Sequence, residues 1–527
     1  MRVRERSLAA AVFLFALSGF VLSGPGRIDS IDGQVRFDIS RNLILIGRPA
    51  ILDPYLAFQG IRGTDGLLYS TYGPAPSYLA VPLVWLGARL GDVQGELARF
   101  LFSWLNAIFV AGTVALLTVF YLDLGVSRRA AVSWALLAAF ASMLWIGATT
   151  VLEQGQHALF SLAGLYLAWR AARRDSPLLA AAAGIASGTL ILYQLPYVLH
   201  QPAMALATLA RSSAGRSASD AARRGRNRFL LFGCTSAIAL IPIALYNFNR
   251  FGVLLFDPPR DFAAHPPLLG NPLVGIPSLL FSPGKGILLF SPIVLLAIRG
   301  LWRLRSREAR LVSAIAAVSA LHLVLIGSLS IFHGDWCWGP RYLIVLLPIV
   351  LVGLPFSLEG GSAQLRRGAT CIICLGLFSN VLGLSLVHER FFHEKGLAIY
   401  FWRDDPGFYF RHSNYFTRFG EIARTLREGM PSEAQSFTNS PYPGLLTYVF
   451  VRGGPPQVDA PWVRHFRIFY RPRPWPFWLA AERANWAGGA GFQAFWWLVV
   501  GLAGGGVLGA TWLAASLRDD EPGVPDG

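Results

Sequence analysis

Apolar residues in this chain fall in blocks that approach the thickness of a bilayer, separated by short connectors rich in arginine. A helix needs ~20 mostly apolar residues to cross a ~30 Å hydrocarbon core. In lipid only helices and closed barrels satisfy every backbone N–H and C=O. The blocks do not alternate apolar with polar residues at period two, so the sequence predicts membrane helices rather than barrel strands. Composition agrees. Of 527 residues, 54% are hydrophobic and 14% charged, against roughly 25% charged in soluble domains.

The formal net charge of +16 comes almost wholly from arginine, Lys285 and Lys395 being the lysines. A basic chain raises nucleic acid as a partner. These arginines sit in the connectors, the pattern of cytoplasmic loops, so membrane lipids are expected as partners and no nucleic acid. The start resembles a signal peptide but lacks a clean small-x-small cleavage site, so an uncleaved first membrane helix is expected. Cys371 and Cys374 lie one turn apart in an apolar run, and no disulfide framework is implied.

Reading the blocks in order predicts spans at 8–23, 100–121, 130–149, 155–170, 177–195, 197–210, 229–248, 287–302, 311–330, 341–356, 368–387 and 493–515, about twelve in all. A short apolar piece near Leu79 to Leu90 is too short to span and is expected to lie along the outer face. With the N-terminus in the cytoplasm, Arg128 and Arg129, the arginines at 170–174, 211–228 and 299–310, and Arg366 and Arg367 all fall inside. The expected protein is therefore multi-pass, in a bacterial cytoplasmic (inner) membrane, with both termini cytoplasmic. Three parts are expected: a bundle over 1–387 whose first outer loop is 24–99, an outer segment 388–492, and a last helix and tail over 493–527. The acidic tail after Arg518 is expected to be disordered.

Asp29, Asp32 and Asp38 closely follow the first helix. Carboxylates at a membrane surface are candidate general bases or metal ligands. Composition alone favours solvated loop acids. Tyr69, Tyr72, Pro74 and Pro76 form a rigid aromatic turn that alone reads as an interfacial anchor. Glu153 and His157, in Glu-Gln-Gly-Gln-His, could bind a metal or an acceptor hydroxyl, although a lone histidine is more often simply hydrogen-bonded. The most informative group is three cations at the outer ends of spans. Arg250 closes "YNFNRFG", Lys285 stands in "FSPGKGILLFSP" and Arg341 in "HGDWCWGPRYL". Glycines beside them let backbone N–H groups approach an anion, and arginine grips phosphate bidentately. "PGKG" is not a P-loop, because Lys285 is followed by Gly286 and no leading glycine has the required spacing.

Taken in order, these motifs resemble the GT-C class of membrane glycosyltransferases, in the family 39-like branch related to protein O-mannosyltransferases and aminoarabinose transferases. The resemblance rests on an acid after the first helix and Tyr69-Ser70-Thr71-Tyr72-Gly73. It rests also on Arg250 to Gly252 followed by Ser282 to Pro292, and on Gly334 to Leu343. It covers roughly residues 1–390. It implies an all-α multi-helix transmembrane bundle with juxtamembrane helices in the first outer loop. It implies a polyprenyl-phosphate sugar donor and an envelope glycan, lipid or protein acceptor. Asp32, with Asp29 in reserve, would be the catalytic base, and transfer would proceed by direct displacement with inversion. Arg250, Lys285 and Arg341 would hold the carrier phosphate, and Tyr72, Glu153 and His157 would line the pocket. Two positions depart from the pattern: Gly33 stands where many relatives have a second acid, and Thr71 where many have lysine. No obligatory cofactor is expected; a divalent metal stays open because some members of the class use one. A lipid or glycan flippase and a non-catalytic scaffold are the competing readings. The first should keep charges at the midplane in symmetric halves, and the second should tolerate loss of Asp32, Lys285 and Arg341. The glycosyltransferase reading requires Asp32 and the cations to meet in one hollow.

Overall fold

The computed structural model describes residues 3–26, 28, 30–91, 96–209, 218–254, 269–334, 337–386, 408–428 and 490–518. Asp29, most of segment 388–492 and the acidic tail lie outside the described residues.

Among the described residues the regular secondary structure is helical apart from one two-stranded antiparallel ribbon and two isolated bridges. Among the described residues five helices are long and apolar enough to cross a membrane on length and composition: Glu5–Ser23, Leu97–Asp123, Ser219–Phe251, Ala309–Gly327 and Ala363–Ser385. Pro177–Leu192, Pro272–Phe281, Leu347–Phe356 and Gly501–Ala515 are shorter apolar helices. Other expected spans are broken. The 130–149 block divides into Arg128–Phe140 and Leu144–Thr149. Serines satisfy the freed backbone at that break, since Met143 N donates to Ser291 Oγ at 2.7 Å and Leu144 N to Ser142 Oγ at 3.2 Å. The 341–356 block is a short α-helix between two 3-10 turns, with Pro348 and Pro355 inside it.

Small residues set the closest helix crossings. A Cβ on Gly300 would fall 1.8 Å from the Gly353 carbonyl oxygen, and one on Gly275 would fall 2.1 Å from that of Gly327. Backbones meet directly there, as at small-residue interfaces in membranes. The ends of the chain also meet, since Ser18 Oγ on the first helix, Val3–Ser23, donates to Leu502 O at 3.0 Å.

The first loop is more structured than its sequence suggests. It holds α2 (Ile31–Ile46), a ribbon pairing Gly60–Arg62 with Leu68–Ser70, and α3 (Ala75–Leu90). The last of these is the expected short helix, begun four residues earlier. Helix α2 was expected as loop. Ser30 caps its N-terminus by accepting from Gly33 N, and Gly47, at φ 68°, ends it. It is buried on all sides, with Gln34, Arg36, Asp38 and Asn42 as well as Val35, Phe37 and Ile39, so no apolar stripe at helical spacing marks it. Asp38 Oδ2 accepts from Leu52 N at 2.9 Å and Asp53 N at 3.2 Å, and Asn42 Nδ2 donates to Ala50 O at 2.8 Å. Burial pushes the Asp38 carboxyl above its ordinary value, although Arg41 pairs with it. The helix thus staples the following loop to itself through side chains.

Candidate functional site

Asp32 sits on the first turn of α2, not in a loop. Tyr72, in the turn after the ribbon, donates its hydroxyl to Asp32 Oδ1 at 2.5 Å. Burial and the Asp32 carboxylate push the Tyr72 hydroxyl well above its ordinary value, so it stays a donor. The turn is pressed into place by backbone contact: a Cβ on Gly73 would lie 2.3 Å from Leu192 O and 2.5 Å from Tyr193 O. Gly33 seats α2 against side chains, where a Cβ would lie 2.4 Å from Val151 Cγ2. The glycine lets α2 settle against the loop that leads to Glu153.

Arg341 reaches the same point. Its Nη1 lies 4.0 Å from Asp32 Oδ2. Gly334, at φ +68°, packs on its stem. One turn along α2, on the same face as Asp32, Arg36 forms a buried ion pair with Glu153, their side chains 3% and 8% exposed. The Arg36 guanidinium also lies 4.7 Å over the Tyr72 ring. Glu153 Oε1 accepts from Gln194 Nε2 at 3.1 Å. Burial pushes the Glu153 carboxyl up, but Arg36 first, then His157 and Arg341, pull it down, and the balance leaves it below the ordinary carboxylate range.

Two sets of donors in this cluster have no hydrogen-bond partner: Nε and Nη1 of Arg36, and Nε of Arg341. Buried N–H groups without partners are expensive. Both arginines stand beside carboxylates, Arg36 beside Glu153 and Arg341 beside Asp32.

The other two expected cations are held by protein. Arg250 donates from Nη1 to Ser70 O at 2.5 Å, from Nε to Tyr246 O at 3.1 Å and from Nη2 to Asn247 Oδ1 at 3.0 Å. It lies 3.6 Å over the Tyr246 ring. Lys285 Nζ donates to Cys337 O at 2.9 Å and Gly339 O at 3.2 Å. Each is thereby tied to a segment next to the cluster. Arg250 fixes the strand end two residues before Tyr72, and Lys285 fixes the turn two residues before Arg341.

His157 lies one turn beyond Glu153. Its Nδ1 is 3.0 Å from the Tyr197 hydroxyl, and its ring meets those of Tyr193 and Tyr197 edge-on at 4.5 and 5.1 Å. The sequence reading overlooked Arg36 and Gln194. Only the i, i+4 spacing of Asp32 and Arg36 could have signalled the former. Among the described residues no three His, Cys, Asp or Glu side chains converge as metal ligands.

The chain is similar to solved structures of ArnT from Cupriavidus metallidurans. It is 15% identical to the apo structure, with a TM-score of 0.45 over 80% of this chain and 88% of that one. It is 16% identical to the structure bound to undecaprenyl phosphate, with a TM-score of 0.48 over 96% of this chain and 77% of that one. No protein-family model matches the sequence, and no curated protein matches it. Among the described residues the fold is a helical bundle with helices of membrane length.

Proposed function

We propose that this protein is a membrane-embedded glycosyltransferase that moves a sugar from a polyprenyl-phosphate carrier to an envelope acceptor on the outer face. The observation that carries the reading is the meeting of the Asp32 carboxylate, held by Tyr72, with Arg341 at 4.0 Å and the half-satisfied Arg36 beyond it. An acid next to two anion-seeking guanidiniums suits displacement of a phosphate leaving group. The undecaprenyl phosphate bound in one similar structure belongs to the same chemical class as this carrier.

In this mechanism Asp32 takes the proton of the acceptor hydroxyl. The acceptor oxygen attacks the anomeric carbon, and the bond from that carbon to the phosphate oxygen breaks with inversion. The phosphate leaves with the bonding electrons and gains charge. Arg36 and Arg341 meet that charge as it develops, which is where electrostatic stabilisation contributes most. Tyr72 holds Asp32 in line. Arg250 and Lys285 keep the Tyr72 turn and the Arg341 segment in register, rather than touching phosphate themselves. The reading takes the arginine-rich connectors as cytoplasmic, so that the site would face the opposite side.

The test is transfer from a polyprenyl-phosphate sugar by the protein in lipid nanodiscs. Asp32→Asn should lower kcat by about 10²- to 10⁴-fold while carrier binding persists. Unchanged transfer by that variant would remove Asp32 from the mechanism.

A further inference from the structure

Two buried histidines meet near the Arg341 segment, each on a mostly apolar helix. His322, in the helix Ala309–Gly327, has 0% exposure, and His200, at the start of the helix His200–Ala205, has 1%. An ionisable ring inside an apolar bundle carries a desolvation cost and is retained for a partner. The partners here form a directed chain. His322 Nε2 lies 2.8 Å from the carbonyl oxygen of Tyr342. A carbonyl only accepts, so Nε2 carries a proton. In a singly protonated ring, Nδ1 is then an acceptor, and it faces His200 Nε2 at 3.2 Å. The Tyr197 ring stacks on His322 at an interplanar angle of 6°. Ring orientation and tautomer are thereby fixed from two sides, and the chain ends on the peptide next to Arg341.

That peptide is a place where an outside anchor matters. Gly339 has φ +66°, and Pro340 has no N–H to donate. Lys285 ties the carbonyls before Arg341, and His322 ties the carbonyl after it. Arg341 itself spends one donor on the neighbouring Tyr342 hydroxyl at 3.4 Å and keeps Nε without a partner. We propose that His322, oriented by His200 and Tyr197, is a positioning residue that holds the Arg341–Tyr342 segment so that the Arg341 guanidinium faces the carrier phosphate. The inference rests on the reading of Arg341 as a phosphate contact.

The experiment is binding of undecaprenyl phosphate to the full chain in nanodiscs, with thermal unfolding measured in parallel. His322→Leu should weaken binding by about tenfold or more, since small misplacements of a binding group are costly. His322→Gln, whose Nε2–H can reach the same carbonyl, should stay within about threefold of wild type. In an Arg341→Gln background His322→Leu should add nothing, because both changes act through one group. Wild-type binding by His322→Leu overturns the inference. So does equal weakening by the leucine and glutamine variants, and so does a full additional loss in the Arg341→Gln background. A wild-type protein with no saturable binding instead overturns the phosphate-carrier reading of the site, and this inference falls with it.

Discussion

Arg36 and Glu153 form a buried ion pair, yet Nε and Nη1 of the same guanidinium have no hydrogen-bond partner. The pair is therefore complete as a charge balance and incomplete as a hydrogen-bonding unit. Glu153 holds the cation in the protein interior and leaves donors over for something else. That division of labour separates the structural role of the pair from its proposed ligand role.

Breaking the pair from either side leaves an uncompensated buried charge. Arg36→Gln and Glu153→Gln should each lower stability by about 3–5 kcal/mol. The double variant should recover part of that loss, because neither charge then remains alone. It should not recover carrier binding, since the donors of Arg36 are gone. Thermal unfolding and undecaprenyl phosphate binding on the three variants check both halves. A double variant that binds like wild type would show that Arg36 only balances Glu153.

The pH dependence of this pair has a definite sign. The Glu153 carboxyl is below its ordinary value of 4.5 in the folded protein, because Arg36, His157 and Arg341 outweigh burial. The unfolded chain therefore takes up the proton first as pH falls. The stabilisation is complete above about 4.5 and is lost as pH drops through the folded value. The gap in unfolding temperature between wild type and Glu153→Gln should be level from about pH 7 to pH 5 and narrow below about 4.5. A gap that already closes above pH 6 would contradict the assignment.

The sequence spoke clearly where burial is apolar and weakly where it is polar. Membrane-length helices were legible because lipid demands long apolar runs. Helix α2 was not, because Gln34, Arg36, Asp38 and Asn42 are buried between the equally buried Val35, Phe37 and Ile39, which erases any one-sided apolar pattern. Asp32, Tyr72 and Arg341 could be named from motifs, but their meeting depends on contacts across 40 and more residues. Arg250 and Lys285 were legible as cations at helix ends. Only coordinates reveal that each donates to backbone carbonyls, Arg250 to those of Ser70 and Tyr246 and Lys285 to those of Cys337 and Gly339, since a backbone acceptor leaves no mark in sequence. The breaks in several expected spans came from serines and prolines whose effect on a helix depends on what stands opposite.

Tyr72→Phe removes the hydrogen bond to Asp32 and keeps the ring under Arg36. A hydrogen bond to a charged group contributes about 1.5–3 kcal/mol. If it acts by aligning the base, kcat should fall by about tenfold or more while the KM for the donor stays near wild type. Steady-state kinetics with a polyprenyl-phosphate sugar decide this. A rise in KM with unchanged kcat would instead make Tyr72 a binding contact.

Lys285→Met tests whether this cation is a brace or a ligand contact. The methionine nearly matches the stem but removes the Nζ donor from the Cys337 carbonyl and leaves the Gly339 carbonyl with only the Cys337 thiol at 3.2 Å. Leaving buried acceptors unsatisfied costs about 1–3 kcal/mol each. The unfolding temperature should drop clearly. The salt dependence of carrier binding should match wild type, because no phosphate contact is lost. A flatter salt dependence would return Lys285 to the phosphate.

Gly33→Ala tests the approach that brings Asp32 to its partners. The added methyl would lie 2.4 Å from Val151 Cγ2 and 2.9 Å from Ile28 Cγ2. Val151 is β-branched and stiff, so the strain falls on the α2 backbone. Overpacking of this kind costs about 1–3 kcal/mol. Gly33 adjoins Asp32, and the displacement would move the carboxylate away from Arg341 and Tyr72. Transfer should therefore fall by more than the stability loss accounts for at a temperature where the variant stays folded. The same contact explains why a second acid after Asp32, found in many relatives of the class the motifs resemble, has no room here. An alanine variant with full activity and unchanged unfolding temperature would show that α2 can shift without cost, and that the close seat of Asp32 on the 151–153 loop is not what aligns it.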